Sequence, residues 1–505
     1  MMATYERLSA LDGTFLAFET PNTYMHVALV TVFEAGDLAG VDGLDIARIR
    51  EYFASRLHFV PRYRQKLRAI PLTGDAVWVD DASFELEYHV RHASLPRPGR
   101  VDQLQRRCAE ILERPLDRAR PMWEAWFIEG LSGGRFAMIT KVHHCMVDGV
   151  AGVDILAALL TAEPTVEIER TVAWTPRRTP SDRELLAGEM AQRARASGRL
   201  LRGLGAAAAS PSESSKELPR RFKSLWNLVR TGAATPPAVS FNRPIGPHRR
   251  VAWTETPIES ILGIKKALGG SLNDVVLTTA AGAVRRFLDY RDEPAAGPFR
   301  IVVPVSVRRQ DERGQTGNRV SAWIVDLPIG EQDPVRRFAE IADLTRSLKE
   351  DEQALGAQMI TEAAELTTGN VLSLGARVIN QSHLYNMIVT NVPGPRIPLY
   401  LLGSRMAAAY PHVPLFADQG LGIALFSYGD KLYWGVAADW DLVPEVKTLG
   451  GFIDQAFAEL LAAALPAKSV AAHRGQKRAP RRRPKRSPTR PRPSPSAADP
   501  QGPPR

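Results

Sequence analysis

The hydrophobic pattern of the first 165 residues alternates between helix-like and strand-like segments. Apolar residues recur at helical spacing in "VDQLQRRCAEILERP", which predicts a helix that ends near Pro115. Two apolar runs, "MWEAWFIEGL" and "GGRFAMITKVHH", flank the turn "SGG" and predict a pair of strands. This part of the chain therefore mixes strands with helices.

Residues 251–466 show the same mixture. The segment "SLNDVVLTTAAGAVRRFLDYR" predicts a helix, and "FRIVVPVSVR", "VSAWIVDLPI" and "LYNMIVTNVPGP" predict strands. A hairpin is expected around Gly429-Asp430, and a last helix should have Pro444 in its first turn and stop before Pro466. The sequence thus predicts an α/β (α+β) protein of two domains, each a mixed sheet with flanking helices.

Residues 166–250 differ in composition and are expected to form a crossover between the domains at 1–165 and 251–466. Pro, Gly, Ser and Arg dominate, with helical islands between them. In "RRFKSLWNLVR", Phe222, Leu225, Trp226 and Val229 are spaced to share one helix face, and basic residues occupy the rest. Such a basic amphipathic helix either packs on a domain or contacts a lipid interface through Phe222 and Trp226.

The charge of the chain is concentrated at its end. The formal net charge is +10, but Lys468 to Arg505 hold 12 Lys/Arg against the single acidic residue Asp499, a balance of +11. Subtraction leaves about −1 for residues 1–467. Nucleic-acid binding by the body is therefore not expected. Residues 467–505 are predicted to be a disordered Pro/Arg-rich tail, either merely solvated or attracted to anionic lipid or nucleic acid.

Cysteine content and hydropathy indicate a cytoplasmic protein. Two cysteines cannot form a disulfide framework in 505 residues, and charges at Glu6, Arg7 and Asp12 interrupt the region where a signal peptide needs an apolar run. No window approaches 18 uncharged apolar residues. Any contact with a membrane is expected to be peripheral.

The segment "KVHHCMVDGV" contains the residues with the clearest chemical potential. On a strand, His143 and His144 point to opposite faces, so only one imidazole can reach a reaction centre while the other hydrogen-bonds into the scaffold. Asp148, followed by Gly149, either caps the helix predicted next or orients the histidine loop. No regular ligand spacing supports a metal, and Cys145 is either a buried structural residue or a nucleophile.

These residues carry a resemblance to a known family. "HHCMVDG" resembles the HHxxxDG signature of the bacterial wax ester synthase/acyl-CoA:diacylglycerol acyltransferases, within the superfamily of chloramphenicol acetyltransferase. "LSALDGTFLAFETPNTYMHVA", "RPMWEAWFIEGL", "GSLNDVVLTTAAGAVRRFL" and "TNVPGPRIPLYLLG" follow in the family's order, with Met122 in place of a leucine. The resemblance covers about residues 4–465.

The resemblance implies an O-acyltransferase with its site in a channel between two chloramphenicol acetyltransferase-like domains. Acyl-CoA would be a substrate, with diacylglycerol or a long-chain alcohol as acceptor and no cofactor. The family's pattern makes His144 the general base and His143 a supporting imidazole. Asp148 and Gly149 would complete the signature.

Further site residues follow from the same resemblance. Asn273 and Asp274 would shape the site, although Ser271 to Asp274 also fits a helix-capping pattern. Arg308 is a candidate partner of Asp148. Substrate contacts are expected at Pro121 and Trp123. They are also expected in the loop with Asn391, Pro393 and Gly394, although this loop could be a simple turn.

Two other functions fit the same residues. The chain could be a lipid-interface binding protein without turnover, or an acyltransferase that takes acyl groups from a carrier protein. Peripheral association with a membrane or lipid droplet is expected for the enzyme. Acyl length, acceptor preference and oligomeric state are not encoded in the motifs.

Overall fold

The architecture is that of a computed structural model, which describes residues 5–40, 43–146, 156, 158–165, 167–209, 236–294, 297–306, 320–350 and 384–465. Within these ranges the strands in chain order are β1 (Glu6–Arg7), β2 (His26–Glu34), β3 (Ala39–Gly40), β4 (Gly43–Leu44), β5 (Gln65–Ala69), β6 (Ala76–Asp80), β7 (Val90–Ser94), β8 (Trp123–Leu131), β9 (Arg135–His143), β10 (Arg249–Pro257), β11 (Phe299–Ser306), β12 (Val320–Leu327), β13 (Met387–Val392), β14 (Tyr400–Leu401), β15 (Ser404–His412), β16 (Leu421–Tyr428) and β17 (Lys431–Asp439).

The helices of the described residues connect and cover these strands. They are α1 (Ala10–Phe18), α2 (Ile46–Arg56), α3 (Leu86–His89), α4 (Val101–Leu112), α5 (Asp182–Ala209), α6 (Ile258–Leu268), α7 (Leu272–Tyr290), α8 (Pro334–Glu350) and α9 (Val446–Ala464). The predicted helices near 101–115, 271–291 and 444–465 are confirmed, except that the last one begins at Val446, so Pro444 precedes it and does not lie in its first turn. Each is bounded by the capping, Gly or Pro signals that its sequence carries.

The first large sheet has the order β14-β15-β2-β9-β8-β7, in which only β7 and β8 are parallel. The central strand β9 is buried on both faces. Phe136 and Met138 enter one hydrophobic core, and Ala137 and Ile139 enter another. The alternation predicted for this strand is confirmed, and its nearly continuous apolar run follows from burial on two sides.

The second large sheet has the order β10-β17-β16-β13-β11-β12, with parallel pairs on both sides of β13. Its core is covered by α6, α7, α8 and α9, whose apolar faces meet the sheet. The predicted β16–β17 hairpin is confirmed, and Gly429 in its turn has a φ of +58° that favours glycine. The mixed α/β class and the two sheets therefore agree with the sequence.

The strand β15 belongs to the first sheet although it lies late in the chain. It pairs antiparallel with β2, so that Ala409 lies opposite Thr31. The pattern analysis did not predict this strand. The C-terminal part of the chain therefore completes the sheet that carries the double histidine.

A third, three-stranded sheet has the order β1-β6-β5 and packs against α5 through Leu185. The helix α5 lies inside the predicted crossover 166–250, where only the segment around Phe222 and Trp226 had been singled out. Its start is capped reciprocally: the backbone N–H of Ser181 donates to Glu184 at 2.7 Å, and the backbone N–H of Glu184 donates to the Ser181 hydroxyl at 3.4 Å. The sequence analysis did not use this capping pattern, because the flanking segment is rich in Pro and Arg, which is typical of a linker.

The boundaries proposed for the two halves stay a prediction. Met1–Ala464 form one compact unit, which contains both large sheets. The tail from 467 to 505 lies outside the described residues. Among the residues that are described, no helix is long and apolar enough to span a bilayer.

Candidate active site

The two adjacent histidines diverge at the end of β9. The backbone N–H of His143 donates to the carbonyl of Met122 at 3.0 Å, and that of His144 donates to the carbonyl of Met25 at 2.7 Å. A 3-10 turn, His144–Met146, begins at this point. The side chain of His143 is buried, whereas that of His144 is half-buried. The two imidazoles therefore lie in different environments, and which of them serves the reaction stays a prediction.

His143 is held by hydrogen bonds on both ring nitrogens. Its Nδ1 accepts the backbone N–H of Cys145 at 3.2 Å, and the Cys145 Sγ lies 2.9 Å away. Because Nδ1 is an acceptor, Nε2 carries the hydrogen in the neutral ring and donates it to Oε1 of Glu19 at 3.2 Å. His143 is therefore fixed in one tautomer and one orientation.

The thiol of Cys145 is buried against this imidazole. Burial raises the pKa of the Cys145 thiol well above its ordinary value. The sulfur is protonated at neutral pH, and a thiol is a poor nucleophile compared with a thiolate. The geometry favours the structural interpretation of Cys145 over the nucleophilic one.

Glu19, directly after α1, is the partner that sequence reasoning missed. Its carboxylate also accepts the backbone N–H of Met25 at 3.0 Å and the Nε–H of Arg118 at 3.1 Å. Burial raises the pKa of Glu19, but hydrogen bonds and attraction from His143 and Arg118 outweigh it and lower the pKa to about 2. The only sequence signal was an acidic residue within the matched stretch "LAFETPNTYMH".

His144 has a different environment. Its ring stacks on Phe15 of α1, with centroids 3.8 Å apart and planes inclined by 21°. Its Nδ1 is buried and has no hydrogen-bond partner among the described residues. Burial, with a smaller contribution from His143, lowers the pKa of His144 to about 4. The ring is therefore neutral at physiological pH and can accept a proton.

A buried lysine stabilises the strand before the histidines. The Nζ of Lys141 donates to the carbonyl of Ile111 at 2.8 Å and to that of Arg114. These carbonyls lie at the C-terminal end of α4, where a cation is stabilised by the helix dipole. Burial lowers the pKa of Lys141 to about 8. The contact ties α4 to the strand that carries His143.

Trp123 and Pro121 occupy the core beside this strand. Trp123 is 1% exposed, donates its indole N–H to the carbonyl of Tyr63 at 2.8 Å, and stacks on His89 with centroids 4.6 Å apart. Pro121 is buried as well. Both side chains are packed in the core in this structure, and a substrate contact by these residues stays a prediction.

Asp274 acts as a helix cap in this structure. Its carboxylate accepts the backbone N–H of Ser271 at 2.6 Å and the hydroxyl of Thr345 at 2.7 Å, while the backbone N–H of Asp274 donates to Ser271 at 3.2 Å. These bonds form the capping box that the sequence pattern allowed. Asn273 is half-buried. A site-shaping role for the pair stays a prediction.

The loop that follows β13 packs against the β16–β17 hairpin. The backbone N–H of Gly394 donates to Ser427 Oγ at 2.9 Å. A Cβ at Gly394 would lie 2.2 Å from the carbonyl oxygen of Ser427 and 2.4 Å from the ring of Phe426. Asn391 is half-buried and Pro393 is exposed. Close packing explains the glycine, and a substrate contact by this loop stays a prediction.

Other predicted residues lie outside the described ranges: Asp148, Gly149, Phe222, Trp226 and Arg308. In the part of the chain that the structure describes, no group of three or more His, Cys, Asp or Glu side chains could hold a metal ion.

A small cleft lies between residues of the two large sheets. His26, Arg249 and His412 line it, together with apolar residues. Burial lowers the pKa of His412 to about 3 and that of His26 well below its ordinary value, so both rings are neutral. The lining does not include His144. The channel expected at His144 therefore stays a prediction.

Comparison with known proteins supports one family along most of the chain. Residues 8–276 match the wax ester synthase/diacylglycerol acyltransferase catalytic domain, and residues 316–461 match the C-terminal domain of the same family. Two Mycobacterium tuberculosis proteins that carry the name diacylglycerol O-acyltransferase are each 32% identical to the chain. One aligns over 91% of both chains, and the other over 90% of this chain and 96% of its own.

Solved structures give the same result for the fold. The wax ester synthase/diacylglycerol acyltransferase of Marinobacter aquaeolei VT8 is similar with a TM-score of 0.66 and 25% identity, covering 91% of this chain and 99% of that one. The first condensation domain of the calcium-dependent antibiotic synthetase shares the fold, with a TM-score of 0.55 and 17% identity over 92% of this chain and 97% of its own. The chain therefore belongs to the wax ester synthase/diacylglycerol acyltransferase family and is an acyltransferase.

Proposed function

We propose that this protein transfers a long-chain acyl group from acyl-CoA to diacylglycerol, to a long-chain alcohol, or to both, with His144 as the general base. The observation that carries the proposal is the contrast between the neighbouring imidazoles. His143 is buried and hydrogen-bonded on both nitrogens, whereas His144 is half-buried, neutral and lacks a described partner on Nδ1.

The reaction needs one group that takes a proton and later returns it. An alcohol is a weak nucleophile at neutral pH, so His144 accepts the hydroxyl proton while the oxygen attacks the thioester carbonyl carbon. A tetrahedral oxyanion forms and collapses, and the carbon–sulfur bond breaks. The protonated His144 then gives its proton to the departing thiolate, so the products are an ester and free coenzyme A.

The environment of His144 suits the second half of this cycle. A ring whose pKa is about 4 is unprotonated before the reaction, and its protonated form is a strong acid that readily protonates a thiolate. Since Phe15 excludes water from one face of the ring, the proton is exchanged with substrate rather than with solvent. Glu19 holds His143, which supports the turn that carries His144.

The remaining predicted roles rest on the family's pattern. Asp148 and Gly149 orient the histidine loop, Arg308 pairs with Asp148, and Asn273 lies beside the site. The lipid substrates imply that the protein works at the surface of a membrane or lipid droplet. The amphipathic segment with Phe222 and Trp226 is the proposed contact, and replacing both with Ser should lower recovery on lipid vesicles.

The direct test is an acyl-transfer assay with radiolabelled palmitoyl-CoA and a panel of acceptors that includes diacylglycerol and hexadecanol. His144→Ala should lower kcat by about 10²- to 10⁴-fold, the usual contribution of a general base. The melting temperature of the variant should stay close to that of the wild type, because the ring is only half-buried. His58→Ala serves as the control, since its ring hydrogen-bonds the nearby Ser55 carbonyl and lies against the exposed ring of Phe59, away from the proposed site.

The outcomes separate the alternatives. Full turnover by a folded His144→Ala variant would remove the base assignment. Absence of labelled neutral lipid from the wild type with every acceptor would favour a binding protein without turnover. Activity only when the acyl group is attached to a carrier protein would identify a different acyl donor.

A further inference from the structure

The small cleft between the two large sheets contains two buried histidines whose hydrogen bonding is incomplete. His26, at the start of β2, is 5% exposed, and His412, at the end of β15, is 3% exposed. Both residues line the cleft. The Nδ1 atom of each ring is buried and has no hydrogen-bond partner among the described residues. A buried polar atom without a partner is costly in a native structure, so the pair indicates a bound molecule.

The bonds on the other ring nitrogens determine where each hydrogen lies. Nε2 of His26 lies 2.8 Å from the carbonyl oxygen of Leu112, which can only accept, so Nε2 carries the hydrogen. Nε2 of His412 accepts the indole N–H of Trp253 at 2.8 Å, so the hydrogen of that ring is on Nδ1. Both rings are neutral, because burial lowers their pKa values. Nδ1 is therefore an acceptor in His26 and a donor in His412.

The two rings thus offer complementary groups to one ligand. A hydroxyl group can donate its hydrogen to His26 and accept the hydrogen of His412 at the same time. A carboxylate has no hydrogen to donate and would leave His26 unpaired. A metal ion needs a free lone pair, which His412 lacks, because its Nδ1 carries the hydrogen and its Nε2 accepts the indole of Trp253.

The remaining lining of the cleft favours an uncharged molecule. Arg249 lies in the lining, but its guanidinium donates to the backbone carbonyls of Gly246, His248 and Asn22. Asp439 lies 3.9 Å from it and compensates its charge. An anion therefore gains little from this arginine. The other lining residues are mostly apolar: Leu112, Val251, Val413, Pro414, Leu415 and Ala437.

We propose that this cleft is a binding site for a single hydroxyl group, which donates to Nδ1 of His26 and accepts from Nδ1–H of His412. The hydroxyl belongs either to a water molecule or to a short alcohol whose carbons lie against the apolar lining. The lining does not include His144, so the inference does not depend on the proposed function. A ligand held here contacts both sheets, because the histidines belong to the first and Val251, on β10, belongs to the second.

NMR of the full-length protein with ¹⁵N-labelled histidine tests the site, because a nitrogen lone pair that accepts a hydrogen bond resonates upfield of a free one. The protein is titrated with n-propanol and, as a control of equal size without a hydroxyl, with n-propyl fluoride. If an alcohol is the ligand, only n-propanol shifts both Nδ1 signals, and the shifts saturate. If water is the ligand, both signals are hydrogen-bonded from the start, and the His412 Nδ1–H shows a cross-peak to long-lived water. The proposal is overturned when neither n-propanol nor water is found at the rings.

A variant checks that the two rings share one ligand. His412→Phe keeps a ring at this position but removes the donor, so the Nδ1 signal of His26 should move to that of a free nitrogen. Where n-propanol is the ligand, its affinity should fall about tenfold, as expected for the loss of one hydrogen bond. His58→Phe, at a ring packed against the exposed Phe59, is the matched control and should change neither. An unchanged His26 signal in folded His412→Phe would contradict the shared site, and the wild-type titration decides the question where this variant does not fold.

Discussion

Oε1 of Glu19 lies 3.2 Å from Nε2 of His143, so a carboxylate from the end of α1 fixes the histidine that precedes the proposed base. Arg118 and the backbone N–H of Met25 hold the same carboxylate. The contact joins segments that are 124 residues apart. It makes Glu19 a positioning residue, because it acts through His143 and the turn rather than on the substrate.

Replacing Glu19 with Gln should lower kcat by about tenfold, with a smaller change in KM, because the turn that carries His144 loses its charged anchor. Gln can still accept the His143 hydrogen, so the protein should fold. Steady-state kinetics with palmitoyl-CoA check this. Glu85→Gln, which removes an exposed carboxylate 4.0 Å from Arg120, is the matched control. An unchanged kcat in Glu19→Gln would argue against the positioning role.

The same variant should change how stability depends on pH. The pKa of Glu19 falls from 4.5 to about 2 on folding. Its stabilising contribution is therefore complete above about pH 4.5 and disappears as the pH falls through 2. Wild type and Glu19→Gln should differ by about 2 kcal/mol in free energy of unfolding at pH 6 and converge near pH 2. Urea unfolding across this range gives the measurement, and a constant difference would contradict it.

Phe15→Ala should raise the pKa of His144 from about 4 toward 6.5, because water replaces the stacked ring. A general base must be unprotonated, so the acidic limb of kcat/KM should move to higher pH in the variant. NMR titration of the imidazole, assigned with His144→Ala, reads the pKa directly. Phe59→Ala should leave the limb in place. An identical titration in Phe15→Ala and wild type would show that stacking does not set the pKa.

Asp274→Ala should lower the free energy of unfolding by about 2 kcal/mol. The variant loses a buried capping carboxylate that accepts hydrogen bonds from the Ser271 backbone N–H and the Thr345 hydroxyl. Asn273→Ala should cost less than 0.5 kcal/mol, roughly the range of ordinary partly exposed substitutions. Urea denaturation measures both. Full stability of Asp274→Ala, combined with loss of turnover, would instead favour a direct role in the site.

Gly394→Ala should destabilise the protein by about 2 kcal/mol, because its Cβ would overlap Ser427 and Phe426. Gly451→Ala on α9 is the matched control, since a Cβ there meets nothing within 4 Å and alanine favours a helix by about 0.5–1 kcal/mol. Thermal melts of the two variants should therefore shift in opposite directions. Equal shifts in melting temperature would show that the loop at Gly394 moves to accommodate the methyl group.

Much of the fold was predictable because its elements are locally encoded. Apolar spacing and capping signals located α4, α7 and α9, and a Gly-Asp turn located the β16–β17 hairpin. The pairing of β15 with β2 was not predictable, since its partner lies far away in the chain. The helix α5 was missed because the composition around it outweighed the capping signal at Ser181.

The sequence by itself determined the family, the alternation of β9 and the divergence of His143 from His144, because each depends on residue order or on the geometry of a strand. Tertiary structure alone decided which side chains surround those rings. Glu19, Phe15 and Lys141 each contact a residue or helix that is distant in the chain. Trp123 is a core residue because His89 and Tyr63 enclose it. Such contacts depend on how the segments pack, and no local pattern encodes them.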